Sequence, residues 1–358
     1  MKSRRVLFVL GNLELGGAER QALILAKYLR EQADVEIWGF NHSGPVAEIC
    51  TQHSIPSRVV PLQQPSDIRN FVRLLRETRP DILLPYTLLP NVACGLVWQR
   101  TGARLCVWNQ RDEGIFQLNA KWQHRAAQLT PHFIANSHGC ARYLIDDLHV
   151  NPAKIRVIPN GIELAPPQSD RRTWRARLDL DDTTFVACMI ANLHANKDHA
   201  TLLKAWRLVV NTLNQRAVLV LAGRHYGAYE SLVHLTNELD LASNVRFPGP
   251  VSDVAGLLTA ADIGVFSSRS EGCPNGILEC MAAGLAVAAT DIESIREVAG
   301  DQEFLAPPGD ADRLAQIILE LAADPDTRTS IGAANQSRIK ARYNAQRMCE
   351  DTVSLLTT

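Results

Sequence analysis

Short apolar runs alternate with amphipathic segments from one end of the chain to the other. The runs fall at residues 6–10, 35–40, 82–84, 105–108, 133–135 and 155–158, and, after a break, at 185–190, 218–222, 245–247, 263–266 and 286–289. Runs this short and this apolar fit strands buried on both faces of a sheet. Between them lie segments such as 18–30, 67–78, 202–210 and 310–322, whose apolar residues recur every three or four positions, as on one face of a helix. This alternation predicts an α/β fold of parallel sheets with helices on both faces. The break at about 161–182 carries Gly161, Pro166-Pro167 and the polar residues 168–172, and reads as a linker. The expected plan is two Rossmann-like, doubly wound domains, 1–165 and 166–340, with a closing helical segment 341–358.

Length agrees with that plan. The 358 residues exceed the roughly 250–300 at which one hydrophobic core stops growing. The formal net charge of −1 argues against a general nucleic-acid binder, so no nucleic-acid partner is expected. The first apolar run stops at Gly11-Asn12, too short for a signal-peptide core or a membrane span, and no stretch of eighteen apolar residues follows. The eight cysteines form no C-x-x-C pair and mostly sit inside apolar runs. They read as buried free thiols of a reducing compartment, which makes a cytoplasmic location the expectation.

In doubly wound sheets, ligands bind beyond the carboxyl ends of the strands. The segments that follow strands are therefore where chemistry is sought. After the first run comes Gly11-Asn12-Leu13-Glu14-Leu15-Gly16-Gly17-Ala18-Glu19-Arg20. Gly16 and Gly17 let the backbone approach a ligand, and the helix that follows offers N–H groups and a positive dipole end to phosphate. The spacing is not G-x-G-x-x-G, and a tight strand-to-helix turn explains the same glycines.

The strongest constellation is Ser267-Ser268-Arg269-Ser270-Glu271-Gly272-Cys273-Pro274-Asn275-Gly276-Ile277-Leu278-Glu279. Gly272 and Pro274 keep a helix from starting before Asn275, which reads as its N-cap. Glu271 then lies on the loop and Glu279 about one turn inside the helix. A nucleotide sugar matches this layout. Its diphosphate would meet the N–H groups near Cys273, Pro274, Asn275 and Gly276, with Glu271 accepting from sugar hydroxyls and Glu279 from ribose hydroxyls. The plainer alternative is a capped helix whose dipole favours Glu279. In Asn192-Leu193-His194-Ala195-Asn196-Lys197-Asp198, Lys197 can meet a phosphate as a point charge, with Asn192 and His194 beside it. A solvated helix start is the alternative there. Arg224, in Gly223-Arg224-His225-Tyr226-Gly227, is a less specific candidate.

The triplets Asp179-Leu180-Asp181 and Asp310-Ala311-Asp312 do not follow strands and read as structural. No histidine–cysteine cluster has zinc spacing, so neither a metal nor a cofactor is expected. Arg100, Arg104, Trp108, Arg111, Phe116, Lys121, Trp122 and Arg125 form a basic and aromatic set. It suits an interfacial surface or an anionic acceptor, or else an ordinary surface with core tryptophans.

At these residues the sequence resembles the retaining GT-B glycosyltransferases of family 4, the glycosyl transferases group 1. The likeness runs through Gly16-Gly17-Ala18-Glu19-Arg20, Ile134-Ala135-Asn136-Ser137 and Val157-Ile158-Pro159-Asn160-Gly161-Ile162. It continues through Asn192, Lys197-Asp198, Gly249-Pro250-Val251 and the E-x7-E pattern from Glu271 to Glu279. The resemblance implies two Rossmann-like domains facing across a cleft, with the donor bound mainly by the second. It implies that Lys197 meets the diphosphate, that Glu271 and the backbone of Gly272, Cys273, Pro274, Asn275 and Gly276 meet sugar and phosphate, and that Glu279 meets ribose. Gly17 would approach the phosphate from the first domain, Pro250 and Val251 would lie near the base, and the last helix would cross back to the first domain.

Four departures stand out. Asn192 occupies a slot where many members carry arginine, leaving His194 or Arg224 to compensate. Gly223-Arg224-His225-Tyr226 lacks the second glycine of a common turn. Trp108-Asn109-Gln110-Arg111-Asp112 lacks the histidine of many relatives, which leaves Arg111, with Asn109, as the acceptor-side candidate. Thr290-Asp291-Ile292-Glu293-Ser294 lacks the usual glycine pair, though Glu297 is in register.

The resulting expectation is a metal-independent transferase in polysaccharide biosynthesis. It would move a sugar from a UDP- or GDP-sugar to a hydroxyl of a saccharide or lipid-linked saccharide, with retention, using Glu271 and Lys197 as catalytic residues. A lipid-linked acceptor would bring peripheral contact with the inner face of the membrane. The rivals are a nucleotide-sugar epimerase of related fold, a non-catalytic nucleotide-sugar-binding subunit, and a nicotinamide dehydrogenase, the last weakened by the missing glycine fingerprint.

Overall fold

The computed structural model describes residues 4–115, 118–300 and 304–357. The chain divides into two units, one of Met1–Gly161 with Ala345–Thr358 and one of Ile162–Asn344. The first unit holds β1 (Arg5–Leu10), β2 (Asp34–Phe40), β3 (Ser57–Val60), β4 (Ile82–Pro85), β5 (Leu105–Gln110), β6 (His132–Ala135) and β7 (Ile155–Val157). They form one parallel sheet in the order β3-β2-β1-β4-β5-β6-β7. The second unit holds β8 (Phe185–Ile190), β9 (Ala217–Ala222), β10 (Val245–Gly249), β11 (Ile263–Phe266), β12 (Val287–Thr290) and β13 (Leu305–Ala306). Their parallel order is β10-β9-β8-β11-β12-β13. Each unit is thus Rossmann-like, and each sheet reverses its winding beside its first strand, between β1 and β4 and between β8 and β11. Those reversals open a crevice at the strand carboxyl ends.

The strands are apolar because helices cover both faces. In β1 every residue after Arg5 is buried, and in β9 all are. On one side of the first sheet, Phe8, Ile37 and Leu84 share a core with Ala22, Leu25 and Leu29 of the helix Gly17–Arg30. The helix Ala345–Thr357 adds Met348, Cys349, Leu355 and Leu356 to that core. Gln21 lies inside it and clips the backbone of Gly161, donating from Nε2 to the carbonyl at 3.0 Å and accepting its N–H at 2.9 Å. In the second unit, Met189, Val220 and Ile263 pack against Trp206, Ile277, Leu314 and Ile318. All eight cysteines are free and buried.

Four local readings change. The stretch read as a linker contains the helix Arg171–Arg177, which Asp170 caps by accepting the Thr173 N–H at 2.8 Å. Charge hid it. Arg175 is 1% exposed, and its guanidinium meets Asp262 at 3.1 Å along with the carbonyls of Ala260, Asp181 and Thr184. β3 and β13 are additional strands, short and only partly buried: β3 carries Ser57 and Arg58, and β13 is two residues long. Trp108 belongs to the core, fully buried against Phe133, and leaves the basic–aromatic set. Phe116 of that set lies outside the described residues. Finally, Pro274 takes the N-cap position of the helix Asn275–Ala282, and Asn275 is its first residue. Proline fits there because its fixed φ is already extended and it has no N–H to satisfy.

Candidate active site

In the second unit, the loops that follow β8 and β11 flank the winding reversal, and the chain stitches them together. Ser267 Oγ donates to the carbonyls of Lys197 and Asp198 at 3.1 and 3.0 Å. The Arg269 N–H donates to the Asn196 carbonyl at 3.1 Å, and its guanidinium pairs with Asp198 at 3.3 Å. Ser268 is tied to Thr290, the last residue of β12, by two hydrogen bonds of 3.0 and 2.9 Å. This scaffold places Lys197 against Glu271. The ammonium reaches both carboxylate oxygens, at 2.6 and 2.8 Å, and Ser268 Oγ donates to Oε1 at 2.7 Å. The Lys197 side chain is 21% exposed and that of Glu271 8%, so the pair is partly desolvated with the ammonium on its open side. An ammonium carries three donors, and the carboxylate takes two.

The helix Asn275–Ala282 opens on this loop without a side-chain cap. Gly276 lets it sit against β8: a Cβ there would lie 2.0 Å from the Ile190 carbonyl oxygen. Glu279 is 6% exposed on the same helix, all of whose residues from Gly276 to Met281 are buried. Gly272, Cys273 and Pro274 are buried before it. Asn192 accepts the Arg224 N–H at 3.0 Å, and Leu193 donates to the Arg224 carbonyl at 3.0 Å. The two loops after β8 and β9 thereby become one surface, whose edge carries His194 against Tyr226. Pro250 and Val251 sit apart from Lys197 in this network. They line a cavity of about 390 Å³ with Trp174, Arg177 and Asp253, and neither Lys197, Glu271 nor Glu279 lines it.

His199 opens the helix His199–Thr212 beside Lys197. Its side chain is 2% exposed with both ring nitrogens unpartnered, and burial, with the Lys197 charge adding to it, pushes the imidazole down to about 4. It is a neutral ring at ordinary pH.

In the first unit, the helix Gly17–Arg30 follows the β1 loop, with Gly16 at its N-cap and Gly17 exposed. Arg111 follows β5. Its guanidinium lies 4.7 Å from the Tyr86 ring centroid and donates to Asn160 Oδ1 at 2.9 Å and Asn109 Oδ1 at 3.4 Å. Asn109 itself is 1% exposed, and its amide donates to the carbonyls of Pro85 and Val107. Its contact with the outside runs through Arg111.

Two families account for nearly all of this chain. The one described as Glycosyl transferases group 1 matches residues 170–338, and Glycosyltransferase Family 4 matches residues 15–165. The chain belongs to glycosyltransferase family 4. Among curated family 4 relatives, the GDP-mannose-dependent monoacylated alpha-(1-6)-phosphatidylinositol monomannoside mannosyltransferase of Corynebacterium glutamicum is 28% identical over 56% of this chain and 55% of its own length. The UDP-Gal:alpha-D-GlcNAc-diphosphoundecaprenol alpha-1,3-galactosyltransferase of Escherichia coli is 26% identical over 76% of this chain and 75% of its own length. The match thus spans about half of the first relative and three quarters of the second. Anabaena HepE, solved in complex with UDP and glucose, superposes with a TM-score of 0.87 at 21% identity, covering 99% of both chains. WaaG, a glycosyltransferase involved in lipopolysaccharide biosynthesis, gives 0.78 at 16% identity over 98% of this chain and 99% of its own. These likenesses show the GT-B fold.

Several residues of this family 4 chain have a role that the sequence does not assign to them. Ser267 and Ser268 open the strongest constellation and Thr290 falls in a departing motif, but the sequence gives none of them a task; in the structure they tie the Glu271 loop in place. Tyr86 lies just past the run 82–84 and is not singled out by it, and Asn160 enters only as part of the family likeness. A polar residue just after a strand is the usable clue, because that is where a doubly wound sheet needs loop-to-loop bonds. The D-x-D aspartates serve local structure: Asp181 accepts from Thr183 and Thr184, and Asp310 caps the helix Ala311–Ala323. Among the described residues no group of three His, Cys, Asp or Glu side chains is placed to hold a metal ion. No helix among them is long and apolar enough to cross a membrane.

Proposed function

We propose that this chain is a glycosyltransferase that moves a sugar from a UDP- or GDP-sugar to a hydroxyl of a saccharide or lipid-linked saccharide, with retention at the anomeric carbon and without a metal. The observation that carries the reading is the Lys197–Glu271 pair at the winding reversal of the second unit, ahead of the uncapped helix Asn275–Ala282. The chemical demand is charge on the departing diphosphate. Lys197 supplies a point charge, and the helix N-terminus around Cys273, Asn275 and Gly276 supplies oriented dipoles. Glu271 accepts from the sugar hydroxyls while orienting Lys197, and Glu279 accepts from the ribose. Asn192 and Arg224 support the diphosphate, and Pro250 and Val251 lie toward the base; in the first unit, Gly16 and Gly17 offer a phosphate-binding turn ahead of their own helix.

In the step itself, the bond from the anomeric carbon to the diphosphate oxygen breaks and a bond to the acceptor oxygen forms on the same face. The acceptor proton passes to an oxygen of the departing phosphate. No second carboxylate is assigned as a nucleophile, so no glycosyl–enzyme intermediate is invoked. The relatives' names supply the donor and acceptor classes: one uses GDP-mannose and a phosphatidylinositol mannoside, another UDP-galactose and a diphosphoundecaprenol-linked sugar. A lipid-linked acceptor brings the chain to a membrane surface.

The test is nucleoside diphosphate release from UDP-glucose, UDP-galactose and GDP-mannose, with and without diphosphoundecaprenol-linked N-acetylglucosamine or phosphatidylinositol mannoside. The reading expects release that depends on acceptor and is lost in Glu271→Gln. A donor converted to its epimer without acceptor would establish the epimerase instead. Full turnover in Glu271→Gln would remove Glu271 from catalysis.

A further inference from the structure

Arg111 is a cation supported entirely by neutral groups. The Tyr86 ring lies under it, and Asn160 and Asn109 accept its hydrogen bonds. No carboxylate lies within ion-pair distance of it among the described residues. Its sequence neighbour Asp112 is occupied elsewhere, accepting the N–H groups of Gly114 and Ile115 at 2.9 and 3.2 Å. Arg111 Nε is moreover buried with no partner. Contrast Arg175, which is more deeply buried and has Asp262 and three carbonyls around it. A partly desolvated guanidinium without counter-charge is unfavourable unless a ligand completes it.

The surroundings are built to aim this group. Asn109, on β5, is locked by Asn91 of the helix Leu88–Val97, with its N–H on Asn91 Oδ1 at 3.1 Å and its carbonyl taking the Asn91 amide at 2.8 Å. The Tyr86 and Asn109 backbones are bridged, which sets the ring under the guanidinium and the Asn109 amide oxygen beside it at the strand carboxyl ends. The next residue, Thr87, has φ +69° and ψ 171°, a conformation that costs an L residue energy and concentrates at functional sites. The planar fork of an arginine matches a carboxylate or phosphate bidentately.

We infer that Arg111 recognises an anionic group, a carboxylate or a phosphate, carried by one of the two substrates. The inference rests on the nucleotide-sugar reading for which substrates to try. The anion has two sources, a uronic-acid sugar on the donor or a phosphate on the acceptor, and the experiment separates them. Equilibrium binding to the full chain is measured for UDP-glucuronate against UDP-glucose. In a second arm, with UDP present, glucose 1-phosphate is compared with methyl glucoside.

In one arm the charged member should bind about tenfold tighter or more, a preference that weakens with added salt. Arg111→Gln should bring the two members within about twofold, while Arg111→Lys, which keeps the charge without the fork, retains part of the preference. Binding of the neutral member by each variant reports that the fold is intact, and Arg111→Lys with the salt series decides the matter should Arg111→Gln not fold. Absence of a charge preference in both arms, or its persistence in Arg111→Gln, overturns the inference. Failure of every nucleotide sugar, charged or neutral, would count instead against the nucleotide-sugar reading and leave the second arm to judge Arg111.

Discussion

The two units share one strand order, to which the first adds β7, and use its winding reversal differently. In the second unit the crevice between β8 and β11 is charged and internally balanced: Lys197 faces Glu271, and Arg269 faces Asp198. In the first unit the crevice between β1 and β4 has glycines on the β1 side and Tyr86 on the β4 side, with Arg111 set on neutral amides. A parallel sheet supplies the location, since strand ends, loops and helix N-termini converge there in any such fold. The residue types on those loops decide the chemistry. A balanced pair can exchange partners with a ligand that brings both anionic phosphate and hydroxyls. An unbalanced cation calls for an anion.

The sharpest way to break this comparison is to unbalance the second crevice. Lys197→Met should lower donor affinity by roughly ten- to a hundredfold and also destabilise the fold, because Glu271 is left buried without its cation. The double variant Lys197→Met/Glu271→Leu should recover stability but not donor binding, as read by chemical unfolding and by calorimetric titration. Recovery of both would reduce the pair to a structural tie.

A second effect is predicted in pH. The His199 imidazole sits at about 4 in the folded chain against an ordinary 6.5. Between those values the unfolded chain binds a proton that the folded chain does not, so stability falls as pH drops from 6.5 toward 4. The full loss is roughly 3 kcal/mol. Melting temperature across that range should show the decline, and His199→Phe should flatten it. An unchanged slope would place the cause in other groups.

The smallest predicted effects compare glycines. In Gly276→Ala the new Cβ meets a backbone oxygen at 2.0 Å, whereas in Gly16→Ala it meets the far end of the Glu19 side chain at 2.5 Å. Gly276→Ala should therefore cost about 1–3 kcal/mol. Gly16→Ala should stay within about 1 kcal/mol, because a side-chain tip can swing away and φ of −118° suits alanine. Equal losses would show that both glycines serve packing. A stable Gly16→Ala with weakened donor binding would assign Gly16 to the ligand.

Much of this was legible in the sequence, and the reasons are physical. Strands buried on both faces must be apolar throughout, so β1, β8 and β9 announced themselves. The family 4 likeness followed from loop residues in a fixed order. What stayed hidden was polar and local. Arg175 is a charged residue with a core role, and it concealed a helix in a stretch read as a linker. β3, with Arg58 and Val59 exposed, has no apolar run to betray it. Glu271 and Lys197 each read as groups waiting for substrate, and their pairing with each other depends on a three-dimensional closeness that spacing does not express. Likewise, Gly276 pointed to phosphate, yet its tightest constraint is the Ile190 carbonyl.

We propose that the second unit's crevice takes a nucleoside diphosphate sugar through Lys197. A thermal-shift panel of UDP-, GDP- and ADP-sugars on the wild-type chain and on Lys197→Met tests it directly, since a ligand that binds only the native state raises the melting temperature by mass action. The melting temperature should rise with a UDP- or GDP-sugar in the wild type and not in Lys197→Met. No rise with any of the three in the wild type, or an equal rise in Lys197→Met, would contradict it.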